Sequence, residues 1–466
     1  MAKKPNVLFF GMDSVRAEHM SLYGWKNQTT PNMDKYLEEG IVFEKFLSPS
    51  IPTTPGYASM LTGLDCFGTT VVALRHEGGL PDNIKTMAEI LRENGYDTSC
   101  VGFTSNAASR GFDKYVNFEG WGSWEAGRAH KAEAMNAVVL PELDRMANGD
   151  KPWFLFIRSM DTHSPYLPPE PFHKMFYGGN EFDPDNHSLD ACYAFKPFRD
   201  YFYSWFAPGA TDAQYINATY DGGLAYLDAC IQVILARLKA LNLEEDTLVV
   251  FVSDHGETLD DHEYFYDHHG LYECTLRVPF ALRWKGHLPE GKRYAEYCSE
   301  MDVLPTVLDI LGIDPKVDYE FSGQSLMKLV NGGHTGNSEY YITEATWERK
   351  HGWRTPEWKL IRALEPDFHF LPPVELYNLV TDPYETKNVA EENPEVVEAL
   401  TKRMEAHIAK REKETGKPDP MYTNLNWHGQ GCGPFKTSQQ AYDTMHIGDP
   451  EAARRLQAEG EKKHAK

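Results

Sequence analysis

Residues 247–253, Thr-Leu-Val-Val-Phe-Val-Ser, form an uncharged run, mostly β-branched or aromatic, without polar–apolar alternation. A strand of that kind has to be buried on both faces. Asn6–Gly11 and Trp153–Arg158 are further solid apolar runs, and Ile41–Phe46, Thr98–Phe103 and Val278–Trp284 read as strands beside them. Helical spacing covers Pro31–Gly40, Pro81–Asn94, Ala129–Met146, Ala213–Leu241 and Val303–Leu311. Doubly buried strands alternating with helices predict an α/β fold, with a mostly parallel central sheet and helices on both faces. Ligands of such sheets bind outside the carboxyl ends of the strands. Asp13, Asp161 and Asp254 each stand just past a strand end, and two of them have a histidine, His163 or His255, within two residues.

The pattern changes after residue 332. Tyr340–Glu344, Trp358–Arg362 and Val374–Asn378 read as short strands, and Pro394–Lys410 as an amphipathic helix. The chain therefore divides into a larger α/β domain over 1–332, a smaller C-terminal α+β domain over 333–412, and an extension with a charged tail over 413–466. Leu167–Asp212 is rich in Pro, Phe, Tyr and Gly without a clear period, and reads as a long excursion near the mouth of a site. Tyr422–Pro434 carries enough aromatic residues to pack on something, and Glu451–Lys466 reads as a solvated helix or frayed tail.

A formal net charge of −23 argues against a nucleic-acid partner, which needs clustered Lys and Arg. It does not argue against a small anionic substrate, because a metal ion and local donors invert the field inside one cleft. No apolar run is long enough to span a membrane, so no membrane partner is expected. The first apolar run is too short for a signal peptide and lacks a small-residue cleavage site. The seven cysteines are scattered, as suits reduced thiols. The chain reads as cytoplasmic, and a homo-oligomer is left open.

Four stretches carry chemistry. Ile51–Gly63 reads as a helix start, with Thr53 and Thr54 as N-caps, Pro55 in the first turn and Gly63 as the stop; by itself this is also an ordinary capped helix. Ser253-Asp-His-Gly256 offers a carboxylate and an imidazole to a divalent cation, and Asp13 adds a second carboxylate. In Asp161-Thr-His163-Ser-Pro the following prolines stiffen the exit from the sheet, and His163 reads as a substrate contact or an acid/base. In Asp267-His-His-Gly270 both His268 and His269 lean toward the same site, whereas Asp260–Glu263 reads as a solvated acidic loop.

Taken together, Asn6–Gly24, Thr30–Asp34, Ala58–Gly63, Ser253–Gly256, Leu276–Pro279 and Glu375–Thr386 resemble the ordered motifs of sulfatase-family enzymes in the alkaline phosphatase superfamily, over about residues 5 to 395. The resemblance puts Asp13, Asp254 and His255 on metal-ligand positions and Thr53 on the nucleophile, which also touches the metal. His163 falls on a substrate-contacting histidine, His268 on a group facing the leaving group, and Asn106 near a polar substrate-binding position. The resemblance implies a divalent metal cofactor, for which the mixed oxygen and nitrogen set suits Mn, Zn, Ca or Mg.

Two departures redirect the expected chemistry. Conventional members carry Cys or Ser, converted to formylglycine, with Arg four residues on; here the residues are Thr53 and Tyr57. No formylglycine is expected, and the threonine form is similar to the phosphodiesterase, phosphonate-ester hydrolase and phosphotransferase branches of the superfamily. The resemblance thus implies a metal-dependent hydrolase of phosphate or phosphonate esters working through a covalent Thr53 intermediate. The rivals are a formylglycine-free sulfuric ester hydrolase, a phosphoryl-group transferase, and a non-catalytic binding protein on the same fold.

Overall fold

A computed structural model describes residues 4–424, apart from 75, 77–78, 122–126, 196–204, 335, 347–348, 366–368 and 370. The tail over 451–466, and Tyr422–Pro434 from residue 425 onward, lie outside the described residues.

The strands in chain order are β1 (Asn6–Met12), β2 (Ile41–Leu47), β3 (Ser50–Ile51), β4 (Asp97–Val101), β5 (Lys114–Val116), β6 (Trp153–Ser159), β7 (Thr247–Ser253), β8 (Phe280–Arg283), β9 (Lys292–Ser299), β10 (Tyr340–Ala345), β11 (Arg349–Arg354), β12 (Trp358–Ala363) and β13 (Val374–Asn378). Eight of them form one sheet in the order β5-β4-β6-β1-β7-β8-β2-β9. Every pairing in it is parallel except those of β8, which runs against β7 and β2. The expected mostly parallel sheet is therefore present.

The helices used below are α1 (Pro31–Leu37), α2 (Thr53–Thr62), α3 (Met87–Glu93), α4 (Lys131–Ala147), α5 (Ala213–Ala240), α6 (Val303–Leu311) and α7 (Pro394–Thr415). The alternation along β1 shows why both faces are covered. Val7 and Phe9 pack with Met60, Leu61, Ile90 and Leu304 of α2, α3 and α6. Leu8 and Phe10 pack with Val139, Leu143, Leu227 and Ile231 of α4 and α5. Successive side chains of a strand point to opposite faces, so each face needs its own helical layer.

The second sheet, β13-β12-β11-β10-β3, is antiparallel except at one edge. There Ser50 and Ile51 run parallel to β10, opposite Thr343 and Glu344. A two-residue strand from the first part of the chain thus completes the sheet of the last part, directly upstream of Thr53.

Several local expectations are corrected. The helix expected over Pro81–Asn94 covers Met87–Glu93 only, because Thr86 and Glu89 close a capping box there and the backbone before it is not helical. Neither Thr53 nor Thr54 caps α2. Pro52 holds that position, and the threonines lie inside the first turn. Gly63 does stop the helix, at a left-handed φ of 71°. Strands β3, β5, β9 and β11 went unread. The sequence of β11, Arg-Lys-His-Gly-Trp-Arg, looks exposed but is buried, because its cations are paired: Lys350 with Tyr264 (2.7 Å) and Arg354 with Glu273 (3.0 Å). The acidic loop is also more than solvated, since Asp261 takes a 2.6 Å ion pair from the buried Arg16.

No helix among the described residues is long and apolar enough to cross a membrane. Six described cysteines are buried and free.

Candidate active site

Strand register builds the site. Met12 lies opposite Ser253, so Asp13 and Asp254 leave β1 and β7 side by side. On the other flank of β1, Gly11 lies opposite Arg158. Residues two apart share a face, so Gly11, Asp13 and Arg158 all look toward α2. A Cβ on Gly11 would meet the Tyr57 hydroxyl at 2.8 Å, and one on Gly56 would meet the Asp254 carbonyl oxygen at 2.7 Å. These two glycines let the first turn of α2 rest on the ends of β1 and β7.

After Asp13 the chain passes through a left-handed Ser14, φ 61°. That turn points the Ser14 N–H at Asp254 Oδ1 (3.3 Å), while the Ser14 hydroxyl donates to Asp13 Oδ1 (2.9 Å). The Ser253 hydroxyl clamps the strand ends, donating to the Met12 carbonyl and accepting from Val15 N–H.

Asp13, Asp254 and His255 are fully buried, and one ligand atom from each lies within 4.8 Å of the others. His255 Nε2 is 3.4 Å from Asp254 Oδ2 and 3.8 Å from Asp13 Oδ1. The Nδ1–H of His255 donates to the Gly256 carbonyl (2.7 Å), which leaves a lone pair on Nε2. Asp254 Oδ2 has no hydrogen-bond partner among the described residues. An orphaned carboxylate oxygen facing an imidazole lone pair is repulsive unless a cation lies between them. Two ligand atoms about 2.1 Å from a common ion at a tetrahedral angle are about 3.4 Å apart, so the donor set fits a divalent cation. Burial, and then the neighbouring Asp13 charge, push Asp254 up to about 7. Burial pushes Asp13 up as well, but the Arg158 guanidinium and the nearby histidines outweigh it and hold Asp13 well below the usual carboxylate range.

Thr53 Oγ1 lies 3.1 Å from His255 Nε2. The Thr54 hydroxyl turns the other way, donating to the Leu74 carbonyl (2.6 Å) and accepting from Asn106 Nδ2 (2.9 Å). Asn106 Oδ1 in turn accepts from Ala108 N–H (2.9 Å). Asn106 thus stands against Thr54, the neighbour of Thr53.

His163 and His268 join the cluster. Their ring centroids are 4.6 Å apart, and His268 stacks on His255 at 5.2 Å. The Nδ1–H of His163 donates to the Ser164 carbonyl (2.7 Å), leaving Nε2 as an acceptor. Burial, reinforced by Arg158, draws His163 down to about 4 against the pull of Asp13, so its imidazole is neutral at neutral pH. Burial also takes His268 well below its ordinary value, although Asp267 opposes that. His268 Nδ1 is 3.1 Å from Asp267 Oδ1 but off the line a hydrogen bond needs. Trp121, 58% exposed, stands edge-on to His163 with centroids 5.3 Å apart, at the mouth of this pocket.

Two residues read as neighbours of the site do other work. His269 turns into the seam with the smaller sheet, its Nε2 2.8 Å from His369 Nε2. Asp161 accepts the Ala132 N–H (3.2 Å) at the start of α4 and is no part of the metal cluster. Two others went unread. Lys131, 2% exposed, donates to the carbonyls of Met160 (2.9 Å), His163 (3.0 Å) and Pro165 (3.0 Å), and so fixes the loop that carries His163. Arg158 grips Asp13 Oδ2 through Nε (2.6 Å) and Nη2. A cation closing an otherwise apolar strand, five residues before His163, was the available signal for Arg158. Lys131 left none.

Known proteins resemble this chain over most of its length. A family model described as Sulfatase matches residues 5–313, and one described as N-sulphoglucosamine sulphohydrolase, C-terminal, matches residues 261–414. Human arylsulfatase D is 23% identical, with 93% of this chain and 92% of that protein covered. The multifunctional alkaline phosphatase superfamily protein PehA of Trinickia caryophylli is 25% identical over 66% of this chain and 74% of its own. The crystal structure of the phosphonate monoester hydrolase of Agrobacterium radiobacter superposes with a TM-score of 0.70 at 22% identity, covering 88% of this chain and 96% of that one, which shows a shared fold.

Proposed function

Because this chain belongs to the sulfatase family of hydrolases, we propose that it cleaves phosphate diesters or phosphonate esters through a covalent ester on Thr53, with a divalent cation held by Asp13, Asp254 and His255. The observation that carries this reading is the Thr53 hydroxyl, 3.1 Å from His255 Nε2 at the edge of the acidic cluster. Tyr57 stands four residues on, where a conventional member has arginine.

Thr53 Oγ bonds to phosphorus as the bond from phosphorus to the ester oxygen breaks, and the hydroxyl proton ends on the departing alcohol. Threonine has no second hydroxyl, so it cannot expel the bound group by collapsing to a carbonyl. Water therefore has to attack phosphorus and break the bond to Thr53 Oγ. The Nε2 lone pair of His163 takes the proton from that water, and a proton returns to Thr53 Oγ as its bond to phosphorus breaks. His268, which lies between His163 and His255, lines the side from which the leaving group departs. A bound divalent cation supplies Lewis acidity that lowers the pKa of the Thr53 hydroxyl and offsets charge on the transferred group.

Metal analysis of the purified protein, followed by nitrophenyl phosphate mono- and diesters, phosphonates and sulfates, tests the reading. Thr53→Ala is expected to lower turnover by about a thousandfold or more, with metal content retained. Unchanged turnover would sink the covalent step. A formylglycine-free sulfuric ester hydrolase is the second reading, favoured by relatives named as sulfatases. Faster turnover of nitrophenyl sulfate than of any phosphorus ester would select it.

A further inference from the structure

We infer that Arg158 is a substrate-binding residue, whose guanidinium spans from Asp13 to the anionic group of the ester. This assignment rests on the phosphoester reading above. Arg158 leaves β6 on the face that carries Asp13, and its side chain keeps 16% of its surface exposed. Its Nε and Nη2 both address Asp13 Oδ2, while Asp13 Oδ1 faces His255 and the Ser14 hydroxyl. One edge of the fork is thereby occupied. The Nη1 edge has no hydrogen-bond partner among the described residues, and that is the edge that pairs with two oxygens of a phosphate.

Charge points the same way. Two carboxylates and a divalent cation cancel. The guanidinium is what leaves the pocket net positive for an incoming anion. The nearby Lys131 cannot serve, since its ammonium is directed onto three backbone carbonyls. The wall beneath Arg158 is apolar. Its guanidinium lies 5.4 Å from the centre of the Phe103 ring, against which Tyr57 packs at 4.5 Å. A cation over such a wall binds an anion more strongly than one in water does.

The test compares the metal-loaded wild type with Arg158→Met and Arg158→Lys. Binding of inorganic phosphate is read by titration calorimetry, metal content by elemental analysis, and turnover on the nitrophenyl esters. Arg158→Met is expected to bind phosphate at least about tenfold more weakly and to lose about a hundredfold in kcat/KM at unchanged metal content. Arg158→Lys, which keeps the charge but not the fork, should fall between the two, and it stands in where the methionine variant does not fold. Unchanged phosphate affinity overturns the assignment, as does a loss of phosphate affinity matched by a parallel loss of metal. If the wild type turns over none of the phosphorus esters, the phosphoester reading falls, whereas a wild type that does so with Arg158→Met equally active removes Arg158 alone.

Discussion

Lys131 carries a charge where there is almost no water, and it keeps that charge by surrounding its ammonium with three carbonyl oxygens and the nearby Asp161. Replacing it with methionine strips the cation from a buried cluster and leaves Asp161 without its counter-charge. Lys131→Met is expected to cost about 3–5 kcal/mol of stability in urea denaturation. Turnover should fall further than that loss explains, because His163 sits on the loop that the ammonium holds. A variant within 1 kcal/mol of the wild type would show, on the same scale, that the carbonyl cage is incidental. The residue scale also marks the limit of what the sequence discloses. Asp13, Asp254 and His255 could be read because each follows a strand end, and the ends of neighbouring parallel strands lie together whatever the details. The partners of Lys131 and Arg158 depend on loop path and register, which no local pattern encodes. His269 was misread for a related reason: adjacent residues on one loop, His268 and His269, turn to opposite sides of it.

Among the elements, α2 makes the strictest demand on its surroundings. Its first turn approaches β7 so closely that a methyl group on Gly56 would press on the Asp254 carbonyl oxygen at 2.7 Å. Gly56→Ala is therefore expected to cost about 1–3 kcal/mol through overpacking. By lifting Thr53 from the cluster it should also lower kcat by about a hundredfold, since displacements near 1 Å have that effect. Steady-state kinetics and a thermal melt on one sample measure both. If the melt shifts and kcat does not, the close approach of α2 is a matter of packing alone. The elements themselves were largely legible, because β1, β6 and β7 are apolar on both sides and helices lie between them. The failures are physical. Strand β11 hides its cations by pairing them with Glu273 and Tyr264, which come from a distant loop. The helix over Met87–Glu93 starts late because Thr86 and Glu89 satisfy its first N–H groups, while the apolar spacing continues upstream without them.

Across the whole molecule, buried acids pull stability in two directions with pH. Burial raises Asp161 to about 7, and Asp228 and Asp302 to about 6, from 3.8. Protons held on these groups stabilise the fold fully below 3.8, and that contribution is lost as pH rises through 6 to 7. Asp261 acts in reverse. Burial pushes it up, but the Arg16 guanidinium outweighs burial and brings it to about 2, so its contribution is present above 3.8 and is lost as pH falls toward 2. The buried neutral histidines, His163 and His268 among them, oppose the raised acids below about 6.5, because they take up protons on unfolding there, so the melting temperature of the metal-free protein is expected to fall between pH 7 and 8, by calorimetry. A steady rise from pH 6 to 8 would contradict this. A second whole-molecule device is the seam where Glu273, from the loop after His268, meets Arg354 (3.0 Å) and Lys359 (3.0 Å) of the smaller sheet. The two-residue strand β3 joins the sheets more intimately still, and it bears on how such chains can be recombined. Ser50 and Ile51 complete a sheet whose other strands all lie beyond residue 339, and Thr53 follows two positions later. The C-terminal part is therefore not a cassette. A chimera that exchanges residues from 340 onward with those of a relative would replace the strand on which β3 is paired two positions before Thr53, and is expected to show an altered turnover even with Asp13, Thr53, Asp254 and His255 left in place.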